Sequence, residues 1–272
     1  MNSSFSFCIT VRKFSPINLS KENIMKVAFW SGFGMNAGGT LNLVAISIVL
    51  VSLYHKEVVL SSNYISSHML RDCFFGTVIE RKRAKGSYCY CYGEPNYFRS
   101  LWEMNKIRNR DIIETPMEGI TIVRPPDVTD KSMFYYEVPE QTMFLMDVAP
   151  ESNIAFGSVL EEADIVVSFL PQNAIKIQIF FERYSSLIPK SLFIIDGFHK
   201  NGSCIPKNLS LKYGIDKKCI SIFPYCYNYK QACEEGNIEA FLKKNLNCST
   251  RNPNFYFMSN LQKIAKMLKE RM

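Results

Sequence analysis

The residues whose types and spacing fit them for chemistry stand where apolar runs of the chain end. The first such run, Lys26 to Trp30 (KVAFW), is followed by Ser31-Gly-Phe-Gly-Met-Asn-Ala-Gly-Gly-Thr40 and then by an apolar stretch from Leu41. A loop that holds phosphate needs small residues so that backbone N–H groups point inward. Behind it come a helix N-terminus, a lysine to bridge the outer phosphates and a Ser/Thr for magnesium. Gly34, Gly38, Gly39 and Thr40 supply the small residues and the hydroxyl, but the loop holds no lysine. Gly39 stands where the lysine of a GK[ST] ending belongs, and Phe33 where the leading glycine belongs. Further along, Thr142 to Val148 (TMFLMDV) carries Asp147 near its end, ahead of Ala149-Pro150, and Ser191 to Ile195 (SLFII) runs into Asp196. Cys219 to Phe223 (CISIF) leads to Pro224-Tyr225. Ligands of open α/β sheets bind beyond the carboxyl ends of the strands. The loop 31–40, Asp147 to Pro150, Pro171, Asp196 and Tyr225 therefore form one candidate edge.

The elements that must position these residues follow from periodicity and punctuation. Lys26 to Trp30 reads as a strand, Leu41 to Tyr54 as a buried helix and Val58 to Ser61 as a second strand, a β-loop-α-β unit that implies a parallel sheet. Ile120 to Val123 returns a strand before the Pro125-Pro126 break, and Thr142 to Val148 is a central one. Leu160 to Ala163 leads into the strand Ile165 to Phe169, then a helix over Ala174 to Tyr184, then the strands Ser191 to Ile195 and Cys219 to Phe223. Helices over Ile238 to Asn245 and Asn260 to Arg271 close the chain. The expected fold is α/β, a mostly parallel sheet of about six to seven strands with helices on both faces.

Between Leu70 and Asp130 the pattern is variable. It mixes the basic cluster Glu80 to Lys85, the alternating run Tyr88, Cys89, Tyr90, Cys91, Tyr92 and a helix over Tyr97 to Asn109. The basic cluster reads as a solvated loop, and the tyrosines as either a contact surface or core packing.

A chain of 272 residues, 47% hydrophobic and 21% charged, has the composition of a globular protein. We read it as one domain over 25–272 behind a flexible tail or over-long start at 1–24. The net charge of +7 is spread along the chain, so nucleic acid is not an expected partner. Nine cysteines with no CxxC pair and no secretory leader point to reduced thiols in a cytoplasm. Cys89 and Cys91 lack the spacing of a zinc site. The apolar stretch Leu43 to Leu53 is about half of the roughly 20 residues that cross a bilayer as a helix. The last helix pairs an apolar side (Leu261, Ile264, Ala265, Leu268) with Lys263, Lys266, Lys269 and Arg271. That is the pattern of a basic membrane-surface helix or of a helix laid on a sheet, and packing is the favoured reading.

The order of pieces resembles the MinD/ParA class of deviant P-loop ATPases. It rests on the β-loop-α start, Met146-Asp-Val-Ala-Pro150, Ala163-Asp-Ile-Val-Val-Ser-Phe-Leu-Pro171, Phe193-Ile-Ile-Asp196 and Ile222-Phe-Pro-Tyr225. It covers roughly Lys26 to Arg271 apart from 70–130, and within the class the stripped loop is most similar to the TadZ/CpaE group of Tad-type pilus assembly. In the family the stretch aligned with Gly34 to Thr40 reads KGGxGKT, so both lysine positions are glycine here, Gly34 and Gly39. Thr40 would be the magnesium Ser/Thr, and Asp147 the aspartate that holds the metal through water and senses the γ-phosphate. Asp196 takes the place of an asparagine for adenine, and Tyr225 lies in the loop that covers the base.

ATP and Mg are thus the implied cofactors. With the lysine charges gone, binding is expected to be weak or absent and turnover negligible. The resemblance further implies a homodimer, protein partners in a pilus or secretion apparatus, and at most peripheral contact with the inner face of the membrane or a cell pole. The expected role is a non-catalytic scaffold that assembles or positions a surface apparatus. The alternative is an unusual active ATPase of DNA partition or polar positioning that borrows a cation, for example Lys56.

Overall fold

The computed structural model describes residues 25–31, 38–62, 70, 73–74, 112–115, 117–123, 142–148, 156–202 and 204–271. The expectations placed on 1–24, Gly34, the basic cluster 80–85, the tyrosine run 88–92, the helix 97–109 and Pro150 lie outside them.

Among the described residues eight strands form one sheet: β1 (Met25–Trp30), β2 (Val58–Ser62), β3 (Ile112–Glu114), β4 (Ile120–Val123), β5 (Met143–Val148), β6 (Ile165–Pro171), β7 (Ser191–Phe198) and β8 (Ile220–Pro224). Their order is β3-β4-β2-β5-β1-β6-β7-β8. Seven run parallel, and β3 lies antiparallel on β4 at the edge. The parallel strands are apolar almost throughout because helices cover both faces, and β5 is buried along its whole length.

Side chains alternate between those faces. Val27 and Phe29 of β1, Leu145 of β5 and Ile194 of β7 join the core on one side. Ala28, Trp30, Met146 and Ile195 join the core on the other. The first side is covered by α1 (Gly38–Tyr54), α6 (Ile238–Asn245) and α7 (Phe255–Lys269), with Tyr229 of α5 (Tyr227–Glu234). The second is covered by α2 (Phe156–Glu162), α3 (Ala174–Arg183) and α4 (Pro206–Tyr213). On this second side Trp30 meets Phe180 at 5.4 Å and Tyr184 edge-on at 4.6 Å between ring centroids.

α1 is apolar nearly all round because it is covered nearly all round, with Leu43 to Ile46 and Ile48 to Leu50 at 0–1% exposure. The layer over it is α7, whose Phe257, Met258, Leu261, Ile264, Ala265 and Leu268 are buried against α1 and β8. Apart from Ala265, each such side chain contributes about 1.5–3 kcal/mol when fully buried. The apolar stripe of the last helix is therefore occupied within the fold, and its lysines face solvent. Among the described residues no helix is long and apolar enough to cross a membrane.

Several bounds differ from the sequence reading, and some short elements are additional to it. α7 starts at Phe255 rather than Asn260, because Phe257 and Met258 extend the stripe by a turn. β7 runs on through Asp196 to Phe198, so Asp196 lies within the strand. The short elements β3, α2, α4 and α5 were not expected, and a three-residue edge strand such as β3 is too short to show a period.

Candidate functional site

The alternation that builds the sheet also aims its carboxylates. Asp147 follows Met143 and Leu145 on the α1 side of β5, and Asp196 follows Leu192 and Ile194 on the α1 side of β7. The first turn of α1 answers both. Thr40 Oγ1 donates to Asp147 Oδ2 at 2.6 Å, a buried bond between residues 107 apart in sequence. Two positions on, Asn42 Nδ2 donates to Asp196 Oδ1 at 2.9 Å. The same oxygen accepts from the Gly197 N–H at 2.9 Å. Gly197 sits at an irregularity where Asp196 pairs with Phe223 but Phe198 pairs with Pro224, and its φ of +60° is one that side-chain-bearing residues rarely adopt. A third tie comes from α5, where the buried Tyr229 hydroxyl donates to Leu41 O at 2.8 Å.

Burial dominates the electrostatics. Asp147 is 4% exposed, and desolvation pushes its carboxyl up to about 7, against the lowering effect of the Thr40 hydrogen bond. Asp196 is likewise raised by burial, opposed by its bonds from Asn42 and Gly197. No cation among the described residues offsets either shift.

Gly39 lies next to Thr40 at the start of α1. A Cβ there would meet Ser31 Oγ at 3.6 Å, an ordinary contact, so close packing does not require glycine. Thr40 and Asp147 form a hard-oxygen pair that suits Mg, and the hydroxyl, which gives its one proton to the carboxylate, keeps its lone pairs for a metal.

Tyr225 lies apart from this pair. It follows β8, its N–H donates to Phe198 O at 3.3 Å, and its half-exposed ring stacks on His199 at 5.5 Å between centroids. The loop bearing His199 is held by Gln172 just after β6. Its Nε2 donates to His199 O (3.0 Å) and Cys204 O (3.2 Å), while its Oε1 accepts from His199 N (2.9 Å).

The structure thus brings Thr40 to Asp147, and Asp196 to the same helix turn. Gly38 opens α1, and Gly34 is outside the described residues. Asn42, Tyr229, His199 and Gln172 were not singled out from sequence. Asn42 carries a visible signal, an amide in the first turn of an otherwise apolar helix.

No protein-family model matches the chain, and no curated protein matches it in sequence. Solved structures match in fold. The MinD cell division protein of Aquifex aeolicus is 12% identical, with a TM-score of 0.61 over 91% of this chain and 97% of that one. The septum site-determining protein MinD of Pyrococcus horikoshii, solved with Mg-ADP, is 10% identical, with a TM-score of 0.60 over 91% and 97%. A ParA family ATPase of Chlorobium tepidum is 10% identical, with a TM-score of 0.54 over 90% and 98%. The chain has the α/β fold of the MinD/ParA P-loop NTPases.

Proposed function

We propose that this chain is a MinD/ParA-fold scaffold that no longer hydrolyses ATP, and that it assembles or positions a surface apparatus of the Tad-pilus kind through protein partners. The observation that carries the reading is the state of the strand ends. The buried Asp147 and the half-buried Asp196 each accept a bond from the first turn of α1, from Thr40 and Asn42, behind a loop with glycine at both lysine positions. A helix N-terminus still favours an anion, but without lysine the charge developing on a transferred phosphoryl group goes unneutralised. The similarity of the stripped loop to the TadZ/CpaE group supplies the apparatus. Nucleotide in this reading is at most a weak ligand held by backbone N–H groups, and a homodimer would form without it. Phosphate release from ATP and Mg at tens of micromolar protein is expected to equal the buffer blank, and the dimer is expected in sedimentation without nucleotide.

The Thr40–Asp147 pair favours one other reading, a slow ATPase that still holds Mg and borrows a cation from elsewhere. Turnover above the blank that disappears in Asp147→Ala would establish it in place of the scaffold.

A further inference from the structure

Beyond the carboxyl ends of β7 and β8 the molecule exposes aromatic surface of a kind it buries elsewhere. Tyr225, Tyr227 and Tyr256 are 50%, 67% and 38% exposed. With Pro253, Asn228 and Asn254 they line an open cleft of about 210 Å³. The cleft is rigidly built. Asn228 Nδ2 donates to Asn254 Oδ1 at 2.9 Å, and the buried Asn254 donates on to Asn245 Oδ1 at 3.0 Å, so its floor is tied to α6. His199 backs Tyr225, and Lys200 Nζ lies 4.4 Å over the Tyr256 ring, both on the loop that Gln172 pins. A side chain at Gly202 of that loop would collide with Gln172, its Cβ within 2.3 Å of Nε2, so the loop and its clamp fit closely.

We propose that this cleft docks a proline-rich segment of a partner protein, extended as polyproline II and flanked by acidic residues. The volume is below the roughly 300–1,000 Å³ that encloses a small-molecule ligand. So little buried area offsets little ordering cost, which favours a segment already stiff before it binds. A polyproline II chain is stiff and leaves all its carbonyls unpaired, and aromatic-lined grooves are its usual receptors. Here the Tyr227 ring and the faces of Tyr225 and Tyr256 opposite His199 and Lys200 are flat surfaces for proline rings, and the tyrosine hydroxyls offer donors to the carbonyls. The lining carries no carboxylate and Lys200 stands at its rim, which sets the charge of the flank. A nucleic acid strand would also stack on tyrosine, but it needs cations along its backbone and the lining has none.

The inference gives the scaffold reading its docking surface. It is tested without nucleotide, so either claim can fail alone. The probe is a fluorescein-labelled peptide of eight prolines between two pairs of aspartates, titrated with the full chain and followed by polarisation. Saturable binding is expected, weakened at least tenfold by Tyr227→Ala, weakened by Lys200→Glu, and unchanged by Leu211→Ala on the exposed face of α4. Circular dichroism of each variant confirms folding, and Tyr225→Phe keeps the ring should Tyr225→Ala unfold the loop. The proposal is overturned by no saturation at millimolar peptide, by equal binding of an analogue with alanine for every proline, or by full affinity in Tyr227→Ala. A single-stranded oligonucleotide that binds where the peptide does not would also overturn it.

Discussion

The start of α1 and the edge beyond β8 both lie past the carboxyl ends of parallel strands, yet they are finished in opposite ways. At α1 the polar groups are buried or half-buried and answered from within, Thr40 to Asp147 and Asn42 to Asp196, with no cation among the described residues offsetting either carboxylate. Past β8 the loops are clamped by Gln172 and the asparagine chain, while the rings of Tyr225, Tyr227 and Tyr256 stay open to solvent. The loop ahead of α1 offers an anion no lysine. A surface that is rigid and exposed has already met part of the cost of binding one. Under the two proposals, binding on this fold moves from the phosphate loop to the rim without a change in the sheet.

The sharpest way to break the contrast is pH. The folded-state value of Asp147, about 7, lies above its ordinary 3.8, so between those values the folded chain holds a proton that the unfolded chain has released. This group's contribution is therefore complete below pH 4 and lost as pH rises through 7, by on the order of 4 kcal/mol. Urea unfolding of Asp147→Asn is expected to lack that decline and to exceed the parent in stability at pH 8. Parallel profiles for the two proteins would mean that burial does not raise the Asp147 carboxyl and would contradict this account of the site.

Next in size is Asn42→Leu, which leaves the Asp196 carboxylate with only the Gly197 N–H among its described donors and is expected to cost about 1–3 kcal/mol, more at pH 8 than at pH 5. Gly39→Lys is smaller. With room for a Cβ and the better helix propensity of lysine it is expected to be neutral or to gain up to about 1 kcal/mol, while making ATP binding detectable at millimolar concentration. A loss of more than about 2 kcal/mol in urea would show that glycine is kept for packing. The smallest effect belongs to the rim, where Tyr227→Ala is expected to change stability by less than about 0.5 kcal/mol.

Much of this was legible because strong periods leave few choices. The seven parallel strands are apolar runs, and α1 is an unbroken apolar stretch. The direction of Asp147 and Asp196 was also open to reading, since period two from Leu145 and Ile194 places both toward α1. α4 carried signals that periodicity alone passes over, Pro206 at its first turn and Gly214 just past its end with φ +65°. The aromatic cleft was not legible. Tyr225 and Tyr256 are 31 residues apart in the sequence, and only the fold of α5 to α7 brings them to one rim.

The measurement that bears most directly on the central claim is calorimetric titration of the chain with ATP and Mg, alongside Asp147→Ala. The account predicts no saturable heat up to millimolar ATP for either protein. Saturable heat that vanishes in Asp147→Ala would contradict it and return the α1 end to nucleotide chemistry.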